Sequence, residues 1–296
     1  MLPVLLDLKF VKIYTFGIFL VLAFFWGCFL LWKNIRLTSF KEEDIFDGLF
    51  LALGGGLFLG RLVYVILNFN KFGFNVLKFI LINGYPGLSL FGGLAGGLIV
   101  LHFFLLSKKS KVVEVLDYFI SPLFLALAFG KLGSFFSGAE VGTKTKFFLA
   151  VRYTGFDGLR HLTPLYEACL FFLGAYLAQQ ILFQIRREKY SQGTAFNFFI
   201  WYFSLVYFIF DRIRSDRLYF MKQSFNEMVA GFLLLTLSFY FLYYFRSSVI
   251  VAITGVVSYL KSYGNKTFAK IYRAAKQNIA RRKGKNSASD QRSKGK

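Results

Sequence analysis

The sequence contains few of the residues that build metal centres and disulfide frameworks. Among its 296 residues are two Cys, Cys28 and Cys169, and two His, His102 and His161. The cysteines lie in different apolar runs without metal-ligand spacing, so they are expected to behave as small hydrophobes. The chain also has no glycine-rich nucleotide loop after a strand, no serine nucleophile elbow and no repeat of fixed period. We therefore predict neither a metal nor another cofactor.

Long apolar runs dominate the composition instead. Apolar residues make up 56% of the chain, and 41 residues are Phe. A helix that spans a bilayer needs about 20 consecutive apolar residues. Seven runs approach that length, at 13–32, 45–69, 88–106, 115–132, 165–185, 194–210 and 225–245. The predicted fold class is all-α, a polytopic membrane protein with seven transmembrane helices, the first of which is retained because no cleavage site follows it.

The basic loops predict the orientation of these helices. Lys and Arg concentrate on the cytoplasmic side of short connections. Three alternate loops carry clusters, which are Lys33, Arg36 and Lys41; Lys108, Lys109 and Lys111; and Arg186, Arg187 and Lys189. The N-terminus is therefore predicted outside and the C-terminus in the cytoplasm. The membrane domain is expected to cover residues 1–248, with outer loops at 70–87 and 133–164.

The C-terminal segment is strongly basic. Residues 246–296 contain 13 Lys or Arg and one Asp, within a formal net charge of +21 for the chain. A polybasic segment just cytoplasmic of a membrane helix is typical of contact with anionic lipid headgroups, and we favour this interpretation over nucleic acid. Residues 249–296 are expected to form a cytoplasmic tail that is first interfacial and then disordered.

Polar residues collect at the predicted outer ends of the helices. Arg61 lies in the outer half of the second run, Lys131 ends the fourth, and Glu167 opens the fifth. Ionisable residues at membrane depth are costly and usually face a polar cavity. The alternative is that charged residues at helix ends extend to water. Arg61 fits that alternative least, because its neighbours on both sides are apolar.

Several short segments combine glycine with charged or aromatic residues. They are Tyr-Thr-Phe-Gly at 14–17, Gly-Arg-Leu-Val-Tyr-Val at 60–65, Ser-Leu-Phe-Gly-Gly-Leu at 89–94, Gly-Lys-Leu-Gly-Ser-Phe at 130–135, the glycines of 138–142, His-Leu-Thr-Pro-Leu-Tyr-Glu at 161–167, Asp-Arg-Ile-Arg at 211–214 and Ser-Phe-Asn-Glu at 224–227. In this order, along seven predicted helices, they resemble the signatures of the prolipoprotein diacylglyceryl transferases of bacterial membranes. The resemblance covers most of the chain.

The resemblance implies a multi-pass enzyme of the bacterial cell (inner) membrane. Such an enzyme transfers the diacylglyceryl group of phosphatidylglycerol to the lipobox cysteine of a preprolipoprotein signal peptide. It implies a phosphate-binding pair, Arg61 and Arg214, because an arginine fork donates bidentately to phosphate. The full set of candidate residues is Lys131, Arg214, His161 and Glu167 for catalysis, and Arg61, Lys131, Arg214, Tyr64, Tyr166 and Ser134 for phospholipid binding.

The chain departs from the family pattern inside the signatures. Phe91 stands where the family has His, Lys131 replaces Arg, and Ser134 replaces Asn. Leu162 and Pro164 interrupt the segment that opens the fifth run. One hypothesis is a working transferase in which Lys131 takes part of the role of the missing base. The other is a catalytically silent relative that binds phospholipid or signal peptides without transfer. Transport of a small anion is disfavoured, because the sequence lacks paired, interrupted helices.

Overall fold

The structure is a computed structural model that describes residues 3–8, 11–81, 84–153 and 155–246. Almost all of the predicted membrane domain lies within these ranges. The predicted basic tail, residues 249–296, lies outside the described residues.

Helices account for most of the described residues. In chain order they are Thr15–Ile35 (α1), Glu42–Leu67 (α2), Phe69–Phe72 (α3), Val76–Ile80 (α4), Leu90–Ser107 (α5), Val112–Ser137 (α6), Thr163–Arg186 (α7), Thr194–Phe210 (α8) and Phe225–Tyr244 (α9). Seven of those described, all except α3 and α4, are long and apolar enough to cross a membrane. The prediction of an all-α fold with seven transmembrane helices is therefore confirmed.

Three small antiparallel hairpins accompany the helices in the described part of the chain. Their strands are Val4–Leu8 (β1) with Val11–Tyr14 (β2), Ala150–Arg152 (β3) with Leu159–His161 (β4), and Tyr219–Phe220 (β5) with Gln223–Ser224 (β6). Since successive long helices alternate in direction, the second and third hairpins lie at the same end of the bundle. The short helices α3 and α4 are also at this end, between α2 and α5.

Helix α6 is the centre of the packing and contacts α1, α7 and α8. In the most apolar stretch of α6, 56% of the residues are buried, the highest share among the seven long helices described. Phe124 of α6 is fully buried, and its ring lies 4.9 Å from that of Phe199 and 6.1 Å from that of Phe171. These contacts pack the middle of α6 against α7 and α8.

Glycines allow α2 and α5 to pack closely against each other. A Cβ atom added at Gly96 would lie 2.6 Å from the carbonyl oxygen of Gly55, and one added at Gly56 would lie 2.9 Å from that of Gly93. Any larger side chain at these positions would force the two backbones apart. This contact is the small-residue packing expected between membrane helices.

Candidate functional site at one end of the helix bundle

The end of α6 brings an acidic residue back toward a basic one. Lys131 and Ser134 lie on the last turns of α6, which is capped by Gly138. Gly138 has φ of +72°, a left-handed conformation that favours glycine and commonly ends helices. The N–H of Ala139 donates to the carbonyl of Ser134 at 3.0 Å and completes the cap. The chain reverses here, so Glu140 lies beside Lys131.

The Lys131 ammonium is held between two carboxylates. Its Nζ donates to Oε1 and Oε2 of Glu140 at 2.8 and 2.6 Å, and lies 2.9 Å from Oε2 of Glu167. The Ser134 hydroxyl also donates to Oε1 of Glu140, at 3.4 Å. Lys131 is 5% exposed and Glu167 is fully buried. Such a pair is stable in an apolar interior only when the charges compensate each other.

Arg214 reaches the same carboxylates from the opposite side. It follows the 3-10 turn Asp211–Ile213 that ends α8. Its Nε donates to Oε1 of Glu167 at 2.9 Å, its Nη2 donates to both oxygens of Glu167, and Nη2 lies 3.8 Å from Oε2 of Glu140. Nη1 makes no hydrogen bond to another described residue. We call Lys131, Glu140, Glu167 and Arg214 the charged cluster.

The charged cluster contains two cations and two carboxylates. Burial alone would raise the pKa of the Glu140 carboxyl, but the positive charges of Lys131 and Arg214 outweigh burial and lower that pKa to about 2. Glu140 is therefore ionised throughout the physiological pH range. Its side chain is 24% exposed, whereas that of Glu167 is inaccessible. Glu140 is thus the more accessible of the two carboxylates.

Backbone pairing positions Arg214 at the charged cluster. The N–H of Thr143 donates to the carbonyl of Ile213 at 2.8 Å, and the N–H of Ser215 donates to that of Val141 at 3.0 Å. These bonds lie on both sides of Arg214 and tie its turn to the loop after α6. The sequence separation between the two segments is about 70 residues, so only the tertiary fold brings them together.

Asp211, the acidic residue of the 211–214 motif, makes hydrogen bonds outside the charged cluster. The Asp211 carboxylate is fully buried and accepts hydrogen bonds from the Ser224 hydroxyl and, at 3.3 Å, from the Asn226 amide. The motifs at 211–214 and 224–227 therefore meet. Asp211 fixes the turn against the start of α9, and this turn directs Arg214 toward the charged cluster.

An aromatic wall covers the two cations. The Tyr207 ring centre lies 4.5 Å from Cζ of Arg214 and 5.7 Å from Nζ of Lys131, distances at which ring faces attract cations. Phe91 is buried and contacts the rings of Tyr207 and Phe203, each at 5.3 Å between centres. Phe91, which stands where the resemblance implies a His, thus lies one ring away from the charged cluster and is apolar.

Arg61 belongs to a different contact set from the charged cluster. Its three guanidinium nitrogens donate to backbone carbonyls at 2.8–3.0 Å, those of Lys78, Phe79 and Gly87. The guanidinium also lies 5.1 Å from the ring centre of Phe72. Arg61 is 2% exposed, and its hydrogen bonds tie the backbone at these three residues to α2.

Tyr64 contributes to the same attachment. Its ring centre lies 5.8 Å from Cζ of Arg61 and 6.0 Å from the ring centre of Phe72. A Cβ atom added at Gly87 would lie 2.1 Å from the Tyr64 ring, and the φ of Gly87 is +141°. Glycine is therefore required at this position for the loop to pack over Tyr64.

His161 lies in the loop that follows α6, and Tyr166 lies at the start of α7. The N–H of His161 donates to the Thr143 carbonyl at 3.1 Å, and the Tyr166 hydroxyl donates to the Leu149 carbonyl at 2.6 Å. Both residues therefore support the fold of this loop. The structure thus brings four of the predicted residues together, which are Lys131, Ser134, Glu167 and Arg214. The other four contact loops outside the charged cluster, and they are Arg61, Tyr64, His161 and Tyr166.

Two residues of the site were absent from the sequence-based set. Glu140 lies between Gly138 and Gly142. The sequence signal that could have indicated it is a single carboxylate nine residues after Lys131. Tyr207 precedes Arg214 by seven residues, which is close to two helical turns along α8 and the turn that follows it. That spacing places the two side chains on one face, but many aromatic residues in α8 share the pattern.

Seven membrane-length helices and a buried, charge-compensated cluster at one end define a multi-pass membrane protein with an ionic site. The family model of prolipoprotein diacylglyceryl transferase matches residues 3–244, so the chain belongs to this family. It is 27% identical over 219 residues to phosphatidylglycerol-prolipoprotein diacylglyceryl transferase of Clostridium tetani, covering 72% of this chain and 86% of the relative. It is 30% identical over 200 residues to the enzyme of the same name of Fervidobacterium nodosum, covering 63% and 65%.

Proposed function

We propose that this protein transfers the diacylglyceryl group of phosphatidylglycerol to the lipobox cysteine of a preprolipoprotein, the first step of lipoprotein maturation. The observation that carries the proposal is the charged cluster, which lies in segments that resemble the signatures of the family and has two buried cations. In the reaction, the cysteine sulfur forms a bond to the glyceryl carbon, and the bond between that carbon and the phosphate oxygen breaks. Glycerol phosphate leaves, and the thiol proton passes to a base.

The phosphate is proposed to bind between Arg214 and Lys131. Nη1 of Arg214 makes no hydrogen bond to another described residue and is available as a donor. Lys131 is available only if one carboxylate moves, because its ammonium contacts both Glu140 and Glu167. Glu140 is the partly exposed partner and lies on a loop, so we propose that the phosphate displaces Glu140 and leaves Glu167 in place.

This exchange also supplies a base. The pKa of Glu140 is low because Lys131 and Arg214 stabilise its charge. A bound phosphate would compete for the same cations, so the carboxylate would become more basic as the substrate enters. The cysteine thiol must lose its proton to become the nucleophile. Glu140 is therefore a better candidate for the proton acceptor than Lys131, whose two carboxylate partners favour the charged ammonium.

The positions of the helix ends support an outer-leaflet reaction. With the N-terminus outside and the C-terminus in the cytoplasm of a bacterial cell, the charged cluster would lie at the outer end of the bundle. Phosphatidylglycerol would approach laterally from the bilayer, and a signal peptide would present its cysteine after crossing. The basic tail, residues 249–296, would then contact anionic headgroups of the inner leaflet.

The test is a transfer assay with purified full-length protein, phosphatidylglycerol and a lipobox peptide. The expected result is a mass increase of the peptide by one diacylglyceryl group. A control peptide with Ser in place of the lipobox Cys should remain unmodified. Phospholipid binding without any mass increase would favour the silent-relative hypothesis, for which the apolar ring of Phe91 at the His position is the specific observation.

A further inference from the structure

Buried polar atoms without partners concentrate in the outer loop between α6 and α7. Among the described residues, four buried side-chain nitrogen or oxygen atoms have no hydrogen-bond partner, and three belong to this loop. The three are Oη of Tyr153, Nε of Arg160 and Nδ1 of His161. Leaving a buried polar atom unpaired costs about 1–3 kcal/mol, so such atoms in folded proteins require an explanation.

Tyr153 is the most deeply buried of these three residues, at 4% exposure. Its side chain packs in a small cluster with Val141 and Leu162, against which Phe135 and Tyr166 also pack. Val141 directly follows Glu140 in the chain. The Tyr153 side chain therefore lies against the loop that supplies a carboxylate to the charged cluster.

Electrostatics agree with this position. Burial first, and then the nearby Tyr166 and the Glu140 carboxylate, raise the pKa of the Tyr153 phenol to about 12. The hydroxyl is therefore protonated at every pH at which the protein is expected to act. It is a neutral donor that adds no charge to the site.

Two other hydroxyls near the charged cluster already donate to protein acceptors. That of Tyr166 donates to the Leu149 carbonyl at 2.6 Å, and that of Ser134 donates to Glu140 at 3.4 Å. Tyr153 retains an unused donor beside a site that we propose binds a phosphate. A phosphodiester has more acceptor sites than one ammonium and one guanidinium nitrogen satisfy.

We propose that the Tyr153 hydroxyl donates a hydrogen bond to a phosphate oxygen of phosphatidylglycerol bound at the charged cluster. This inference rests on the proposed function, because it takes its ligand from that reaction. The phosphate is favoured over a peptide carbonyl because displacement of Glu140 leaves Lys131 and Arg214 with a single carboxylate partner, Glu167, and this net positive charge attracts an anion. The rest of the loop, including the Arg160 guanidinium over the Phe156 ring at 4.8 Å, would hold Tyr153 in position.

The experiment compares the full-length protein with Tyr153→Phe, which removes only the hydroxyl. Phosphatidylglycerol is titrated into each protein in detergent, and the bound fraction is measured by native mass spectrometry, with phosphatidylcholine as the reference lipid. Tyr153→Phe is expected to bind phosphatidylglycerol about tenfold more weakly, as for one hydrogen bond to a charged group. Its melting temperature should be unchanged or higher, because the variant removes an unpaired buried polar atom.

Tyr202→Phe is the matched control. Tyr202 is also buried, but its hydroxyl donates to the Leu170 carbonyl at 2.9 Å. This variant should lower the melting temperature and leave phosphatidylglycerol binding unchanged. A loss of lipid binding in Tyr153→Phe and a loss of stability in Tyr202→Phe would separate a ligand contact from a contribution to folding. Both variants keep the basic tail, so any lipid binding by the tail is the same in each.

The possible outcomes distinguish this inference from the proposed function. Equal phosphatidylglycerol binding by wild type and Tyr153→Phe, or binding by neither, would overturn the inference. A selective loss of lipobox-peptide binding would assign the hydroxyl to the peptide instead and would also overturn it. Tenfold weaker lipid binding in a protein that performs no transfer would support Tyr153 as a donor while the proposed function fails. Transfer that is insensitive to Tyr153→Phe would support the proposed function and overturn the inference about Tyr153.

Discussion

Replacement of Arg214 by Lys tests the charged cluster most directly. The variant keeps one positive charge but loses the planar fork that contacts Glu167 through both Nε and Nη2. A lysine ammonium at this position can retain one of the two contacts. It also has no second nitrogen to offer to a phosphate while it holds Glu167. The expected loss is therefore at least one charge-assisted hydrogen bond in the substrate complex.

The magnitude follows from the value of such a bond. Hydrogen bonds to charged groups contribute about 1.5–3 kcal/mol, which corresponds to a decrease of about 10- to 150-fold in kcat/KM. The assay measures the initial rate of diacylglyceryl transfer to a lipobox peptide at several phosphatidylglycerol concentrations. If the lost bond is made equally to the bound substrate and to the transition state, the variant has a higher KM. If the lost bond strengthens as the phosphate leaves, the variant has a lower kcat.

Arg212→Lys is the matched control for this prediction. Arg212 is exposed and contacts Glu227 at 2.6 Å, outside the charged cluster. Exposed ion pairs contribute little, so its replacement should change kcat/KM by less than about twofold. If Arg214→Lys, while folded and inserted normally, transfers as fast as Arg212→Lys, the guanidinium fork does not contribute to the reaction and the assignment of Arg214 to the phosphate is wrong.

Three further predictions address acid stability, the departures from the family pattern and the orientation. The Glu140 carboxyl has a folded-state pKa of about 2, below its unfolded value near 4.3, so its contribution to stability is complete above about pH 4.5 and is lost as the pH falls toward 2. Glu140→Gln should therefore reduce the fall in melting temperature between pH 4.5 and 2, and an unchanged fall would contradict the ion pairing. Combining Phe91→His with Lys131→Arg should raise the transfer rate near neutral pH, and absence of transfer in both the natural protein and this double variant would favour a silent relative. Single cysteines introduced at Lys146 and Lys111, with the native cysteines changed to Ser, should react with an impermeant thiol reagent in intact cells only at Lys146, and the reverse labelling would invert the topology.

The transmembrane helices were predictable because their signal is local. The predicted apolar run at 165–185 corresponds to Thr163–Arg186 in the structure, and the run at 115–132 lies inside Val112–Ser137. Both helices extend past the apolar residues because polar side chains at helix ends reach the interface while the backbone hydrogen bonds continue. Lys131 and Glu167 lie inside the predicted runs, and the extension of α6 adds Ser134 to the site.

The partner of Lys131 was not predictable from the same signals. Lys131 and Glu140 are nine residues apart, and a continuous helix would separate them by about 13 Å. They meet because Gly138 adopts a left-handed conformation and reverses the chain. Glycine occurs in many other places in this sequence, including the α2–α5 contact, where it serves packing. The residue type alone therefore does not tell which glycine makes a turn and which allows two helices to approach.

The two arginines of the predicted phosphate-binding pair show why charge alone does not assign a role. Arg214 ends on the Glu167 carboxylate, so its charge is compensated within the protein. The Arg61 guanidinium donates to three carbonyl oxygens, which give each of its nitrogens a partner without cancelling its charge. The buried Arg61 thus keeps a positive charge that would attract an anion over several ångströms, although its fork is occupied. Arg61→Lys should lower the melting temperature and weaken phosphatidylglycerol binding, because a lysine cannot keep all three of these hydrogen bonds. Arg214→Lys should affect transfer more than stability.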